Sequence, residues 1–261
     1  MPEGPEVTHM VKLMQSFIGC KIISANILSG RYKKSKPKGW TLFKKSLPAT
    51  ISHIHNKGKF IYFVLNSSLF MFNSLGMTGS WTIDDSPYNK LIFNLNCNHT
   101  QLFLLDVRNF ATIKFTRADP LNKLNKIGYD AISKSFSFDD LYNALHKAKK
   151  SVYWNRTISE FLLSQKFISG LGTYMISDSL YASKLSPKRK VRSLSHSDIR
   201  NLYNGIKKIS KESLHSQKFS LHMNNNIENY NKYKFKIYKD PIAKKFAVKN
   251  RNIYWNPDTQ H

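Results

Sequence analysis

Pro2 and Glu3 bring an amine and a carboxylate together at the start of this 261-residue chain. Removal of Met1 leaves Pro2 with a free secondary amine. An α-amino group has an ordinary pKa of about 8, so part of it is neutral and nucleophilic near neutral pH. Attack by such an amine on a sugar carbon yields an iminium, which is a strong electron sink. Glu3 is placed to move protons beside it. With Met1 attached the same nitrogen is an amide and cannot attack. The plain alternative is that Pro2 only permits methionine removal, while Glu3 and Glu6 favour a helix N-terminus.

Five further stretches carry candidate chemistry. Ser164 to Tyr174 reads as a helix end, a tight turn and a new helix start. There Gly170, Gly172 and Thr173 would let backbone N–H groups reach a phosphate, or simply pack a helical corner. Met77 lies between Gly76 and Gly79 in one loop between strands. Arg108 and Phe110 lie two residues apart in another, Asp106-Val107-Arg108-Asn109-Phe110. A methionine and a phenylalanine can wedge a base stack while an arginine pairs with an orphaned base, although each loop alone also suits core packing. Lys59 follows Lys57-Gly58 at a turn, where a lysine can bind phosphate or remain solvated. Arg251 sits among aromatics in Asn250-Arg251-Asn252-Ile253-Tyr254-Trp255. His53 and His55 share a strand face without a third ligand nearby, so no metal site is expected.

The elements that must hold these residues follow from periodicity. Val7, Met10, Val11, Met14 and Phe17 recur at helical spacing, and Gly19 ends that helix. Short β-branched or aromatic runs follow, at Lys21–Leu28, Ile51–His55, Lys59–Leu65, Leu69–Asn73, Leu91–Leu95, Gln101–Leu105 and Ala111–Thr116. They predict a sandwich of two sheets. From Ser137 to His222 the period is helical. From Tyr233 it alternates again, so a terminal hairpin is expected with its bend at Asp240-Pro241.

Lys and Arg total 41 against 16 Asp and Glu, a formal net charge of +25, and this excess points to a polyanion such as nucleic acid. No stretch approaches the ~20 apolar residues of a membrane span. Cys20 and Cys97, the two cysteines, read as unpaired and therefore as marks of a reducing compartment inside the cell, nucleus or cytoplasm.

In order along the chain, the PEGPE start, the basic Gly58-Lys59 turn, LGMTG, DVRNF, SGLGTY and a late arginine in a hairpin resemble the formamidopyrimidine-DNA glycosylase/endonuclease VIII family. The resemblance spans the whole chain. It implies an α+β protein with a catalytic β-sandwich at 1–120, a linker at 121–136, a helical DNA-binding domain with a helix–two-turn–helix at 137–222, and a terminal hairpin at 223–261. It also implies a bifunctional DNA glycosylase and abasic-site lyase. Pro2 would be the Schiff-base nucleophile, Glu3 the acid/base and Glu6 a supporting carboxylate. Lys59 and Arg251 would serve β- and δ-elimination, and Met77, Arg108 and Phe110 would fill the void left by the flipped base.

The sequence departs from the family pattern in places. Bacterial members close the terminal hairpin with four zinc-binding cysteines, and Tyr233–His261 has none. The tail resembles the zincless finger of endonuclease VIII-like members, held by Phe235, Ile237, Phe246, Tyr254 and Trp255. Thr173 stands where Asn is usual, Ser159 where Lys is common, and Asp178 where a supporting Glu is usual. No cofactor and no zinc are expected. The implied partner is damaged DNA, double- or single-stranded, acted on by a monomer away from membranes. The zincless tail and the PEGPE start favour oxidised pyrimidines, ring-opened purines or hydantoins over 8-oxoguanine, and Asn224–Asn231 lies where relatives place a base-capping loop.

Overall fold

The computed structural model describes residues 2–66, 68–218, 220–222 and 232–261, so the expected base-capping loop lies outside the described residues. The chain forms two compact units. Of the described residues, one comprises Pro2, Glu6–Leu124, Lys218 and 220–222, the other Glu3–Pro5, Asn125–Gln217 and Lys232–His261.

The first unit opens with α1 (Gly4–Met14), which buries Val7, Met10 and Met14 along one face, as its spacing predicts. Eight strands follow: β1 (Lys21–Ile27), β2 (Ala49–Lys57), β3 (Phe60–Leu65), β4 (Leu69–Ser74), β5 (Gly79–Thr82), β6 (Asn89–Leu95), β7 (Gln101–Asp106) and β8 (Thr112–Thr116). Two short helices, α2 (Arg31–Lys34) and α3 (Trp40–Lys45), lie between β1 and β2, and α4 (Leu121–Leu124) follows β8. The expected sandwich is present, with its two layers joined into one continuous sheet. Hydrogen bonds run continuously through the order β5-β7-β6-β1-β2-β3-β4-β8, but β1 and β2 share only Lys21↔Thr50 and Ile22↔Ala49. The sheet therefore folds on itself at that corner. Phe63 on β3 meets Trp81 on β5 at 5.5 Å, with Phe43 stacked on Phe115 at 4.1 Å in the same core. The short strand β5 escaped the sequence reading because all four of its residues are buried and show no alternation.

The cysteines are also a correction. Cys20 and Cys97 form a disulfide, with Cα atoms 5.6 Å apart. Ile22 pairs with Leu95 across β1 and β6, so positions two residues outward on each strand face one another. That register is invisible in the spacing along the chain, and the reducing-compartment expectation loses its premise. Among the described residues no helix is long and apolar enough to cross a membrane.

The second unit holds α5 (Phe138–Ala148), α6 (Ile158–Leu163), α7 (Thr173–Ala182) and α8 (His196–His215), with a two-strand parallel sheet, β9 (Tyr129–Asp130) beside β10 (Ile168–Ser169). Residues 121–136 are thus not a bare linker, since β9 pairs within this unit and α4 belongs to the other. Capping boxes start three of the helices, Ser137 with Asp140, Thr157 with Glu160 and Ser195 with Asp198. The terminal hairpin pairs β11 (Lys244–Val248) with β12 (Arg251–Trp255). Its turn is at Lys249-Asn250, with Lys249 at φ 53°, rather than at Asp240-Pro241. Phe235 and Ile237 are not in a strand because the nearby backbone N–H groups have another acceptor.

Candidate active site and DNA interface

That acceptor is Asp178. Its side chain is fully buried in α7 and accepts hydrogen bonds from the backbone N–H groups of Lys236, Ile237 and Tyr238, each at 3.0 Å. Burial pushes its pKa up, and the backbone donors oppose that shift. Burial and the adjacent Asp178 carboxylate also push the Tyr233 phenol well above its ordinary range. One residue earlier, Ser177 Oγ accepts from the Tyr254 N–H at 3.0 Å. Helix α7 therefore anchors both limbs of the tail, and Arg251, exposed at the head of β12, is carried on them. Ile237, Ile253 and Trp255 are buried beneath, as expected of a tail held by apolar packing. Phe235 is 42% exposed but lies against Tyr174 at 5.3 Å.

The tail lacks the cysteines that would hold a zinc ion in the way expected of bacterial relatives. Residues 232–261 offer Asp240, Asp258 and His261 and no cysteine. Among the described residues no group of three or more His, Cys, Asp or Glu side chains is placed to hold a metal ion.

Glu3 occupies the N-terminus of the same helix. It is 1% exposed, and its Oε1 and Oε2 accept from the Tyr174 and Met175 backbone N–H groups at 3.1 and 3.3 Å. A helix N-terminus is a natural seat for negative charge because its first N–H groups have no partner within the helix. Gly172 makes the seat possible, since a Cβ there would fall on the Glu3 carboxylate. The anion expected here was a phosphate; the one found at these two donors is the chain's own carboxylate. The Gly4 N–H donates to the Gly170 carbonyl at 2.8 Å, and Gly170 holds φ +92°. Gln165 closes the turn by accepting from the Gly170 N–H at 3.0 Å and donating to the Leu171 carbonyl at 2.9 Å. Glu3, Gly170, Gly172 and Thr173 thus form one cluster, and Pro2 is the residue next outward from it. Glu6 is 6% exposed on α1, and Ser159 is buried with its hydroxyl on the Pro187 carbonyl at 2.8 Å.

A second cluster lies in the sandwich unit. Met77 is 38% exposed and Phe110 48%, and the Arg108 guanidinium lies 5.3 Å from the Phe110 ring. Their loops are tied by Asp106, which is buried. Its carboxylate accepts from Thr78 Oγ1 at 2.6 Å, from the Arg108 N–H at 3.3 Å and from the Ala111 N–H at 2.6 Å. Gly76, at φ +63°, lets the first loop pass against the Phe110 backbone. Lys59 belongs to the same unit. It sits with Gly58 in the two-residue turn between β2 and β3, and its neighbour Phe60 pairs with Ser74, three residues before Met77. Asp106, Gln165 and Ser177 are positioning residues that sequence reasoning missed. Two of them lay inside quoted motifs, but only the fold shows which N–H and O–H groups they hold.

A folded-over sandwich, a helix–two-turn–helix corner that seats the Glu3 carboxylate, and exposed Met, Arg and Phe loops define the class, a DNA glycosylase fold. Residues 1–113 match the formamidopyrimidine-DNA glycosylase N-terminal domain, and residues 127–225 match the formamidopyrimidine-DNA glycosylase H2TH domain. Formamidopyrimidine-DNA glycosylases of Protochlamydia amoebophila and Listeria monocytogenes are 29% and 26% identical to the chain. They align over 83% and 82% of it and over 78% of each relative. The crystal structure of the MutM (Fpg) protein of Thermus thermophilus is 20% identical and superposes with a TM-score of 0.81 over 99% of this chain and 98% of that one. A Lactococcus lactis Fpg solved with DNA containing an abasic site is 24% identical, with a TM-score of 0.81 over 99% of both chains. The chain belongs to the formamidopyrimidine-DNA glycosylase family and is an enzyme of DNA repair, a DNA glycosylase and abasic-site lyase.

Proposed function

We propose that the mature chain, freed of Met1, excises oxidised bases from duplex DNA and cuts the strand by successive β- and δ-elimination through Pro2. The neutral Pro2 amine attacks C1′ of the damaged nucleotide. The bond from C1′ to the base breaks, and the base leaves with a proton. Opening of the sugar gives an iminium between Pro2 and C1′. That cation acidifies C2′; loss of a C2′ proton expels the 3′-phosphate, and a further proton loss from C4′ expels the 5′-phosphate. Water then releases the sugar remnant and regenerates the amine. No cofactor or zinc takes part, because the amine itself forms the electron sink.

The observation that carries this reading is the seat of Glu3. A carboxylate fixed by two backbone donors cannot wander, and the Gly4–Gly170 hydrogen bond fixes the residue after it. Pro2 is therefore presented from an anchored stem beside a group able to take or stabilise a proton. Glu6 supports that stem from α1. Lys59, on a turn, and Arg251, at the head of β12, serve the eliminations. Met77 and Phe110 wedge the stack while Arg108 faces the orphaned base. Thr173, in the first turn of α7, contributes a hydroxyl to phosphate. The favoured lesions are oxidised pyrimidines, ring-opened purines and hydantoins. The relatives' shared name supports the second of these. A Lactococcus lactis Fpg, 25% identical with a TM-score of 0.81, solved with DNA containing an oxidised pyrimidine, supports the first. The enzyme acts as a monomer.

Borohydride reduction of the enzyme mixed with a duplex holding one oxidised pyrimidine or one abasic site tests this. A stable protein–DNA adduct is expected. It is lost when an unprocessed extra residue turns the Pro2 nitrogen into an amide, and it is strongly reduced in Glu3→Gln. Absence of an adduct with every oxidised-base and abasic substrate would sink the reading.

A further inference from the structure

The outer face of strands β2, β3, β4 and β8 carries a feature that the chemistry at Pro2 does not use. On an antiparallel sheet with one face in a core, the other face is ordinarily polar. Here Ile61, Phe63 and Leu65 of β3 point into the core, and the alternate positions Phe60 and Tyr62 are also aromatic. Register places His55, Tyr62, Phe72 and Lys114 side by side across all four strands. The rings touch in a continuous series. His53 and His55 are 5.6 Å apart and nearly parallel, His55 and Tyr62 5.5 Å, Tyr62 and Phe60 6.4 Å, and Phe60 and Phe72 5.2 Å. His53 and His55 are exposed, and the other three rings are partly so.

Charge selects the occupant. The four strands contain no Asp or Glu, and they contribute Lys57 and Lys114. At the Phe60 end, α4 adds the Lys123 ammonium 5.7 Å from the ring, and Lys57 Nζ donates to the Leu124 carbonyl at 2.9 Å. An apolar protein partner would not need that cationic border. A duplex hides its base faces inside the stack. A single strand offers both a phosphate chain and free base faces, and aromatic platforms bind such strands at about 1–3 kcal/mol per stacked base. The series also passes one residue from Lys59, at Phe60. We infer that this sheet face is a stacking platform for single-stranded DNA, distinct from the Pro2 centre and continuous with the Lys59 turn.

The test needs no catalysis, so its outcome is separable from that of iminium trapping. Binding of a fluorescein-labelled oligothymidine, about 12 nucleotides long, would be measured against salt for the full-length protein, for His55→Ser and for Tyr62→Ser. Each change is expected to weaken single-strand binding by about tenfold while leaving the salt slope and undamaged-duplex affinity unchanged, because a ring rather than a phosphate contact is lost. Restoring a ring with His55→Phe restores binding. Unchanged single-strand affinity, or an equal loss for duplex and single strand, would overturn the proposal, as would a self-associating protein that becomes monomeric in both variants. A 5-bromouracil strand photo-crosslinked to the unaltered protein covers the case in which Tyr62→Ser misfolds. Adducts on the peptides bearing His53, His55, Tyr62 or Phe72 support the platform; adducts confined to other peptides contradict it.

Discussion

The two candidate clusters use buried carboxylates in opposite ways. In the helical unit, Glu3 and Asp178 accept backbone N–H groups directly and are themselves the anchored features. In the sandwich unit, Asp106 is buried so that other residues need not be. It ties two loops at their bases and leaves Met77 and Phe110 exposed at the tips. The contrast suits the two tasks proposed for these clusters, an attacking amine and a wedge in the base stack. A nucleophile must be held to a fraction of an ångström, whereas a wedge must reach out of the protein into a stack of varying sequence.

Breaking the anchored side should cost most. Asp178→Ala leaves three backbone donors buried without their acceptor, and at about 1–3 kcal/mol for each orphaned group the loss is about 3 kcal/mol or more. Urea unfolding reads the total, and faster amide exchange at 236–238 locates it; an unshifted midpoint would show that the tail is held by its apolar contacts alone. Next comes Gly172→Ala, whose methyl group displaces the Glu3 carboxylate from the α7 N-terminus. Single-turnover cleavage of an abasic duplex should fall by about a hundredfold, the scale of a one-ångström misplacement, with the protein still folded. Wild-type cleavage would mean that Glu3 acts from some other position.

The exposed side should break selectively. Phe110→Ala removes a ring that is nearly half exposed, so stability should stay within about 0.5 kcal/mol. Excision of a stacked lesion should slow by about tenfold while cleavage at a preformed abasic site is spared, because only the first requires a base to be extracted. Equal loss on both substrates would place Phe110 in the chemistry instead.

The smallest effect is outside both clusters. Asp198 at the start of α8 is desolvated, yet the Ser195 backbone and side-chain donors and Arg189 hold its pKa below the ordinary value. A depressed carboxylate contributes stability above its unfolded pKa and loses it as pH falls through the folded one. Asp198→Asn should therefore cost about 1 kcal/mol at pH 7 and almost nothing in strong acid, measured by urea unfolding at both pH values.

The same contrast governs how much could be read in the sequence. Order along the chain was enough for α1, most strands, the helical corner and the loops that carry Met77, Arg108 and Phe110, because those signals are local. What escaped depends on partners distant in sequence. The β1–β6 register joins Cys20 to Cys97, Glu3 fills an anion seat 171 residues away, and Asp178 takes the N–H groups of 236–238, which moves the hairpin turn to Lys249-Asn250. Gly172 illustrates both sides. Its motif was visible as an anion site, but the identity of the anion required the fold.

The central claim is that the anchored stem at Glu3 presents the Pro2 amine to the sugar. Its most direct test is to digest the borohydride-reduced complex and find the adduct by mass spectrometry. The sugar remnant should sit on the N-terminal nitrogen of the peptide that begins at Pro2. A remnant on a lysine side chain, Lys59 above all, would contradict the account.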